Sequence, residues 1–209
     1  YFMDKCEPFL FYITLFLLIA AICVNAPHYD FDLWARLIAG MGVIDGGHVL
    51  KQDFLSYTPT HIWYDHEYGS GVVFYSFLKL FGPYSLIILE IILYFGIFFT
   101  ASRVIKLRSS ICPYNLLFYL FPVMALVENF NNPIRCHLFS FLLFAVFIYI
   151  LELARKGKSK PLFLIPLLVI LWNNLHGGVV AGIGLVFMYA VGEFLNKKPV
   201  KKYIITLLV

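Results

Sequence analysis

Side chains able to do chemistry are few in this chain, and they fall in short stretches at the edges of apolar blocks. Asp30 and Asp32 stand two apart just beyond the first block. One reading has one of them capping the helix that follows and the other merely solvated. The other reading has a carboxylate poised as a general base or as a ligand for a divalent ion. Asp65-His66-Glu67 offers the same choice, loop solvation and hydrogen bonding against metal or acid–base work. His48 and His61, taken singly, read as structural. Arg135 and His137 lead into another apolar block, and Trp172-Asn173-Asn174-Leu175-His176-Gly177-Gly178 separates two more. The blocks meeting at these turns are short for a bilayer. Arg135, His137, Asn173, Asn174 and His176 should therefore sit close to hydrocarbon depth, where polar groups are costly and generally face a cavity. For the two asparagines, hydrogen bonds that only hold helices together account equally well for their presence. Gly177, Gly178, Gly182 and Gly184 suit close helix packing.

The elements that must position these residues are apolar. Of 209 residues 61% are hydrophobic, 19% aromatic and 13% charged, with a mean hydropathy of +0.84. A soluble domain is about 45–50% apolar and about 25% charged, so a soluble globular protein, a disordered tail and a nucleic-acid-binding module are excluded. A bilayer-crossing helix needs roughly 20 apolar residues. The candidates are Phe9–Val24, Tyr84–Ser102, Pro113–Val127, Leu138–Ala154, Pro161–Trp172 continuing toward His176, and Val179–Asn196, with a seventh starting near Tyr203. The expected fold is thus an all-α, polytopic membrane helix bundle of about seven spans. Phe9–Val24 reads as a retained anchor, because no small-x-small cleavage site follows it. We expect the chain to be the ordered part of a longer protein. Cys6, Cys23, Cys112 and Cys136 contain no Cys-x-x-Cys pair and indicate neither a disulfide framework nor a zinc site.

Charge sorts the connections. Lys5, the Arg103–Arg108 loop, the Arg155–Lys160 loop and the Lys197–Lys202 loop hold twelve of the sixteen basic residues, and all fall on one side when the spans alternate. Basic loops stay cytoplasmic, which puts the N-terminus inside. The other side holds all six histidines and seven acids against Arg36, Lys51, Lys79 and Arg135, a formal charge of −3 facing +8 within. Glu90 is alone in mid-span.

The first external loop, residues 26–82, is too long for a simple connector. Phe31, Trp34, Ile38 and Met41 recur at helical spacing, with Asp30 or Asp32 as N-cap and Asp45-Gly46-Gly47 as terminator, so Phe31–Ile44 should be a helix. Gly69–Leu80 is a second such segment, ended by Gly82-Pro83. Both have the character of amphipathic helices lying along a membrane surface.

The order of short motifs resembles a known family. Asp30-x-Asp32-Leu33-Trp34, Leu37-x-x-Gly40, Asp53-Phe54-x-Ser56-Tyr57-Thr58, Trp63-x-x-His66-Glu67, Arg135-x-His137-Leu138-Phe139-Ser140 and Trp172-x-Asn174-x-His176-Gly177-Gly178 occur in that sequence. The string looks like the N-terminal transmembrane module of the GT-C glycosyltransferases, nearest to prokaryotic members without assigned substrates. The superfamily also includes protein O-mannosyltransferases and the lipid A aminoarabinose transferase. The resemblance runs from Phe9 to about Glu193, and on it we expect residues 1–209 to form one such module.

The resemblance implies an enzyme that moves a sugar from a polyprenyl-phosphate-linked donor to an acceptor, a glycan, lipid or protein, with inversion at the anomeric carbon. It implies a multi-pass protein of a prokaryotic plasma membrane, with the active site at the extracytoplasmic face beneath the long first loop. Asp30 and Asp32 both fit the position of the catalytic base. Arg135, with a fork that suits phosphate oxygens, is the candidate for the donor phosphate, assisted by His137. His66, Glu67, Asn174 and His176 are candidates for acceptor or substrate contacts. No cofactor is fixed by this reading; a divalent metal would find ligands in Asp30, Asp32 and His66. This chain has Asp-x-Asp where several relatives have adjacent Asp-Glu, Ala35 where a second Trp is common, and Cys136 where Pro or Gln is frequent. A non-catalytic scaffold or subunit with the same fold is the competing class. A transporter is the third, disfavoured because no inverted repeats are visible.

Overall fold

Long runs of Leu, Ile and Phe without internal Gly-Pro breaks fold here as helices, and polar or Gly/Pro punctuation ends them. The computed structural model of the chain describes residues 8–25, 31–52, 57, 65–110, 112–117, 119–120, 122–123 and 134–209. Among the described residues the order is α1 (Pro8–Asn25), α2 (Phe31–Ile44), α3 (Tyr68–Phe81), α4 (Ser85–Arg108), α5 (His137–Arg155), a 3₁₀ turn (Lys160–Leu164), α6 (Ile165–Leu175), α7 (Val179–Leu195) and α8 (Lys201–Leu208), with no strand. Gly82 at φ 78° and Gly157 at φ 88° close α3 and α5 in the left-handed region that glycine enters without steric cost.

Among the described residues three helices, α1, α4 and α5, are long and apolar enough to cross a membrane. The 24 residues of α4 rise about 36 Å, against about 30 Å of hydrocarbon. The segment expected over Pro161–His176 is the 3₁₀ turn followed by α6, and that over Val179–Asn196 is α7; both α6 and α7 are shorter apolar helices. Of the Pro113–Val127 segment, residues 118, 121 and 124–127 lie outside the described residues. Cys112 is disulfide-bonded, although the cysteine spacing indicated no framework, and its partner lies outside the described residues.

The core lies between α1, α4, α5, α6 and α7 and includes Leu15, Ile19, Phe147, Leu151, Trp172 and Val186. The outward faces are as apolar as the interior: Leu17, Ile88, Leu167, Phe187 and Met188 are all exposed. Apolar area on that scale is not left in contact with water by a soluble monomer. Glu90, alone in mid-span, is buried within the bundle. Tyr12 and Ser102 join α1 to α4 by a hydroxyl–hydroxyl bond of 2.8 Å.

The two ends differ in charge. At one, buried Glu152 of α5 receives the Tyr189 hydroxyl at 2.6 Å, Arg155 at 3.1 Å and Arg108 at 3.7 Å, while Lys202 donates to the Ala154 carbonyl. These contacts gather three of the basic loops. The 19 residues of α5, about 28 Å of helix, separate that end from His137, beside which the acids and imidazoles collect.

Candidate functional site

The site is organised by α2 and α3, which lie side by side in the same direction. Their closest approach is at two glycines: a Cβ on Gly71 would collide with the Arg36 carbonyl, and one on Gly40 with the Gly71 carbonyl. Without side chains there, the start of α3 comes close enough to α2 for Arg36 to reach both acids of the Asp65-His66-Glu67 stretch. Arg36 donates to Asp65 Oδ1, and its Nη1 lies 3.9 Å from Glu67 Oε2. Asp65 is buried, its side chain 1% exposed. Its Oδ1 also accepts the Glu67 amide at 2.9 Å, an Asx turn that starts α3. Its Oδ2 is buried with no hydrogen-bond partner among the described residues.

Glu67 is the hub. Its Oε2 accepts the Cys136 thiol at 3.3 Å, and its Oε1 lies 3.6 Å from Nε2 of both His176 and His66. The separation from Arg36 is that of an ion pair, and those from the imidazoles are longer than hydrogen bonds. Burial, and then the charge of Glu67, push the Cys136 thiol up to about 12, so it stays protonated and donates. Three regions far apart in sequence therefore meet at one carboxylate: the loop before α3, the residue before α5, and the turn after α6.

His176 is held from behind. Trp172, buried against Phe147, donates its indole N–H to Ser140 Oγ at 2.6 Å, and Ser140 Oγ lies 2.6 Å from His176 Nδ1. Nδ1 also receives the Gly178 amide at 3.1 Å. Indole and amide can only donate, so the Ser140 proton points to Nδ1 and the ring proton sits on Nε2, toward Glu67. A Cβ on Gly178 would meet Ser140 Oγ at 2.5 Å and Nδ1 at 2.9 Å, and so would break this arrangement.

Asp32, in the first turn of α2, has an open side chain, 68% exposed, with Oδ2 3.8 Å from Arg135 Nη1. Asp32, Arg36, Glu67, Arg135 and Cys136 line a cavity of about 190 Å³ floored by Phe74. It joins an accessible carboxylate, a half-exposed guanidinium and a second guanidinium already neutralised by two acids. Chemically, that set can accept a proton at Asp32 and hold an anion at Arg135.

The structure thus brings together Asp32, Glu67, Arg135 and His176 of the residues expected from sequence. Asp30 lies outside the described residues. His66 is at the rim, 69% exposed, facing Glu67. His137 packs its ring edge-on against Phe141 at 5.2 Å and does not line the cavity. Asn174 is turned back on its own helix, donating to the Ile170 carbonyl at 2.7 Å; what it offers the site is its backbone, against which Gly69 packs. Arg36, Cys136 and Ser140 were not singled out as site residues, and Asp65 was raised only within the Asp65-His66-Glu67 stretch. The signal for Arg36 was its spacing of four from Asp32, which puts both on one helix face.

For a divalent ion, Glu67, Cys136 and His176 place one ligand atom each within 4.8 Å of one another. Asp32 is instead engaged with Arg135, and His66 reaches the set only through Glu67. Thiolate, carboxylate and imidazole suit zinc. Such an ion would displace the Cys136 proton and require the His176 ring proton on Nδ1, with Ser140 turned to accept it. Compared with protein-family models, with curated proteins and with solved structures, the chain matches none.

Proposed function

We propose that this chain is the membrane module of a GT-C-type glycosyltransferase, which moves a sugar from a polyprenyl-phosphate-linked donor to an acceptor hydroxyl. The observation that carries the proposal is the cavity in which Asp32 and Arg135 face each other at 3.8 Å, at the end of the apolar helices away from the basic loops. Transfer from a lipid phosphate needs a base for the acceptor hydroxyl and a cation for the leaving phosphate. Asp32 supplies the first, with Asp30 as the neighbouring alternative, and Arg135 the second. Glu67, with His66 and His176 beside it, orients the acceptor. The lipid tail lies along the apolar outer faces of the helices.

In this proposal the helices form a bundle of about seven spans in a prokaryotic plasma membrane. The basic end is cytoplasmic, and α2 and α3 lie at the extracytoplasmic surface. Glu67, Cys136 and His176 would hold a divalent ion; chelation separates a reaction that uses one from a reaction run by the charged side chains alone.

The decisive experiment measures transfer from a polyprenyl-phosphate sugar by the whole protein in proteoliposomes, with Asp32→Asn, Asp30→Asn and the double variant. At least one single variant should insert and fold normally yet lose transfer by about 10²-fold or more. Full activity in all three would remove the aspartate base, and with it this mechanism.

A further inference from the structure

Two grooves meet at the basic end, far from the Asp32–Arg135 cavity. One, of about 440 Å³, is bordered by Arg155, Lys198, Lys201 and Lys202, with Glu193 as its only carboxylate. The other, of about 280 Å³, is almost wholly apolar, walled by Leu162, Phe163, Pro166 and Ile205, with Lys160 also on its border. They share Lys202 and Ile205, so they adjoin each other along these side chains and form one depression, with a basic and an apolar side, only where those two residues border both.

The cations there are unevenly compensated. Arg155 is paired with Glu152 at 3.1 Å, and Lys198 lies 3.9 Å from Glu193. Lys202 spends one donor on the Ala154 carbonyl and lies 5.0 Å over the Tyr203 ring, which leaves donors of its ammonium for another acceptor. Lys160 and Lys201 are exposed and carry no carboxylate partner among the described residues. Phe163, on the apolar side, is 80% exposed.

We infer that this depression is a binding site for an anionic phospholipid, its phosphate held by Lys202, Lys201 and Lys160 and an acyl chain lying over Phe163, Pro166 and Ile205. Charge complementarity selects an anion, because five cations share two carboxylates, Glu152 and Glu193. The adjoining apolar trough selects an anion that carries a hydrocarbon tail over a soluble phosphate. Basic clusters at membrane level attract anionic headgroups. The site does not depend on what the opposite end catalyses.

Native mass spectrometry of the purified chain in detergent tests it, with phosphatidylglycerol, phosphatidylcholine and glycerol 1-phosphate as probes. Phosphatidylglycerol should be retained at least tenfold more than phosphatidylcholine, and glycerol 1-phosphate in excess should not displace it. Lys201→Gln with Lys202→Gln should abolish the preference while circular dichroism stays unchanged. Phe163→Asp, at an exposed position that folding does not need, should weaken retention of both lipids. Equal retention of the two lipids, or a preference indifferent to the lysine pair, would overturn the site. Full displacement by glycerol 1-phosphate would overturn its assignment to a lipid.

Discussion

Asp32 Oδ2 and Arg135 Nη1 stand 3.8 Å apart, although one belongs to the first turn of α2 and the other to the approach to α5. At that separation the two charges steady each other without a direct hydrogen bond, so each keeps hydrogen-bonding capacity for a substrate group beside the pair. Arg135→Ala should therefore reduce transfer by about 10²-fold, the usual loss when one preorganised donor to a developing anion is removed. Arg135→Lys should restore part of it, as a point charge without the planar fork. The check is turnover against donor concentration in proteoliposomes; unchanged donor dependence would remove the phosphate role.

Arg36 and Asp65 form the buried ion pair of the site, their side chains 13% and 1% exposed. Removing one partner strands a buried charge, which costs about 3–5 kcal/mol. Asp65→Asn and Arg36→Met should each lower the unfolding midpoint sharply in detergent. The double variant Arg36→Met with Asp65→Asn should recover much of the loss. A thermal double-mutant cycle reads the coupling, and additive losses would show that the pair is not what stabilises the α2–α3 unit.

Ser140 links Trp172 to His176, so its loss has two consequences. Ser140→Ala leaves a buried indole N–H unpaired, at about 1–3 kcal/mol, and removes one of the two donors to Nδ1, leaving only the Gly178 amide to hold the His176 tautomer. The ¹⁵N shifts of the His176 ring should change from the Nε2–H form to a mixture of tautomers. Ser140→Thr, which keeps the hydroxyl, should hold the tautomer. Identical ring shifts in the wild type and Ser140→Ala would refute the orienting role.

Asp45, at the end of α2, accepts from Lys79 and Tyr75 of α3. The Lys79 hydrogen bond, and then that of Tyr75, hold the Asp45 carboxyl below its ordinary range, while Asp45 holds Lys79 above its own. A depressed acid contributes stability above its ordinary pKa and loses it as pH falls through the depressed folded value. A raised lysine contributes below its ordinary pKa and loses it as pH rises through the raised value. The contact thus works across the neutral range and fades at both extremes. It is solvent-exposed, so about 1 M salt should screen it. In unfolding midpoints followed against pH, Asp45→Asn should flatten the acid limb at low salt and change little at high salt; an unaltered acid limb would rule the contact out.

The sidedness is open to direct measurement. In a chain with its own cysteines replaced by serine, Gln52→Cys should react with a membrane-impermeant maleimide added to intact cells, and Ser159→Cys only after permeabilisation. The Cys112 disulfide gives the test an edge, because stable disulfides are rare in a reducing cytoplasm. The reverse labelling would put the basic end outside and account for that bond.

Helices announced by two independent signals were legible in the sequence. Phe31–Ile44 carries both an acidic start and an Asp-Gly-Gly stop, and α2 has those bounds. Gly69–Leu80 ends at Gly-Pro, and α3 extends one residue further at each side. Span length was less legible, since hydropathy does not reveal that Lys160–Leu164 winds as a 3₁₀ turn before α6. In the site, charged residues at segment boundaries were legible, because a boundary near hydrocarbon is where polarity needs a reason. Arg36 was not, because it lies inside a helix and its partner Asp65 is 29 positions away across a stretch without periodicity. Asn174 misled for the opposite reason: an amide near hydrocarbon depth can satisfy itself on its own helix backbone.

The convergence on Glu67 also has a consequence for how the protein is made. Cys136, its thiol donor, lies 69 positions downstream, and His176 further still. At a synthesis rate of about 5–20 residues per second, that carboxylate waits about 3–14 s for the first of them to emerge. Of its partners among the described residues, Arg36 and His66 are already synthesised during that interval. The Arg36 contacts with Asp65 and Glu67, all within the first part of the chain, can therefore form before the later partners of the site exist.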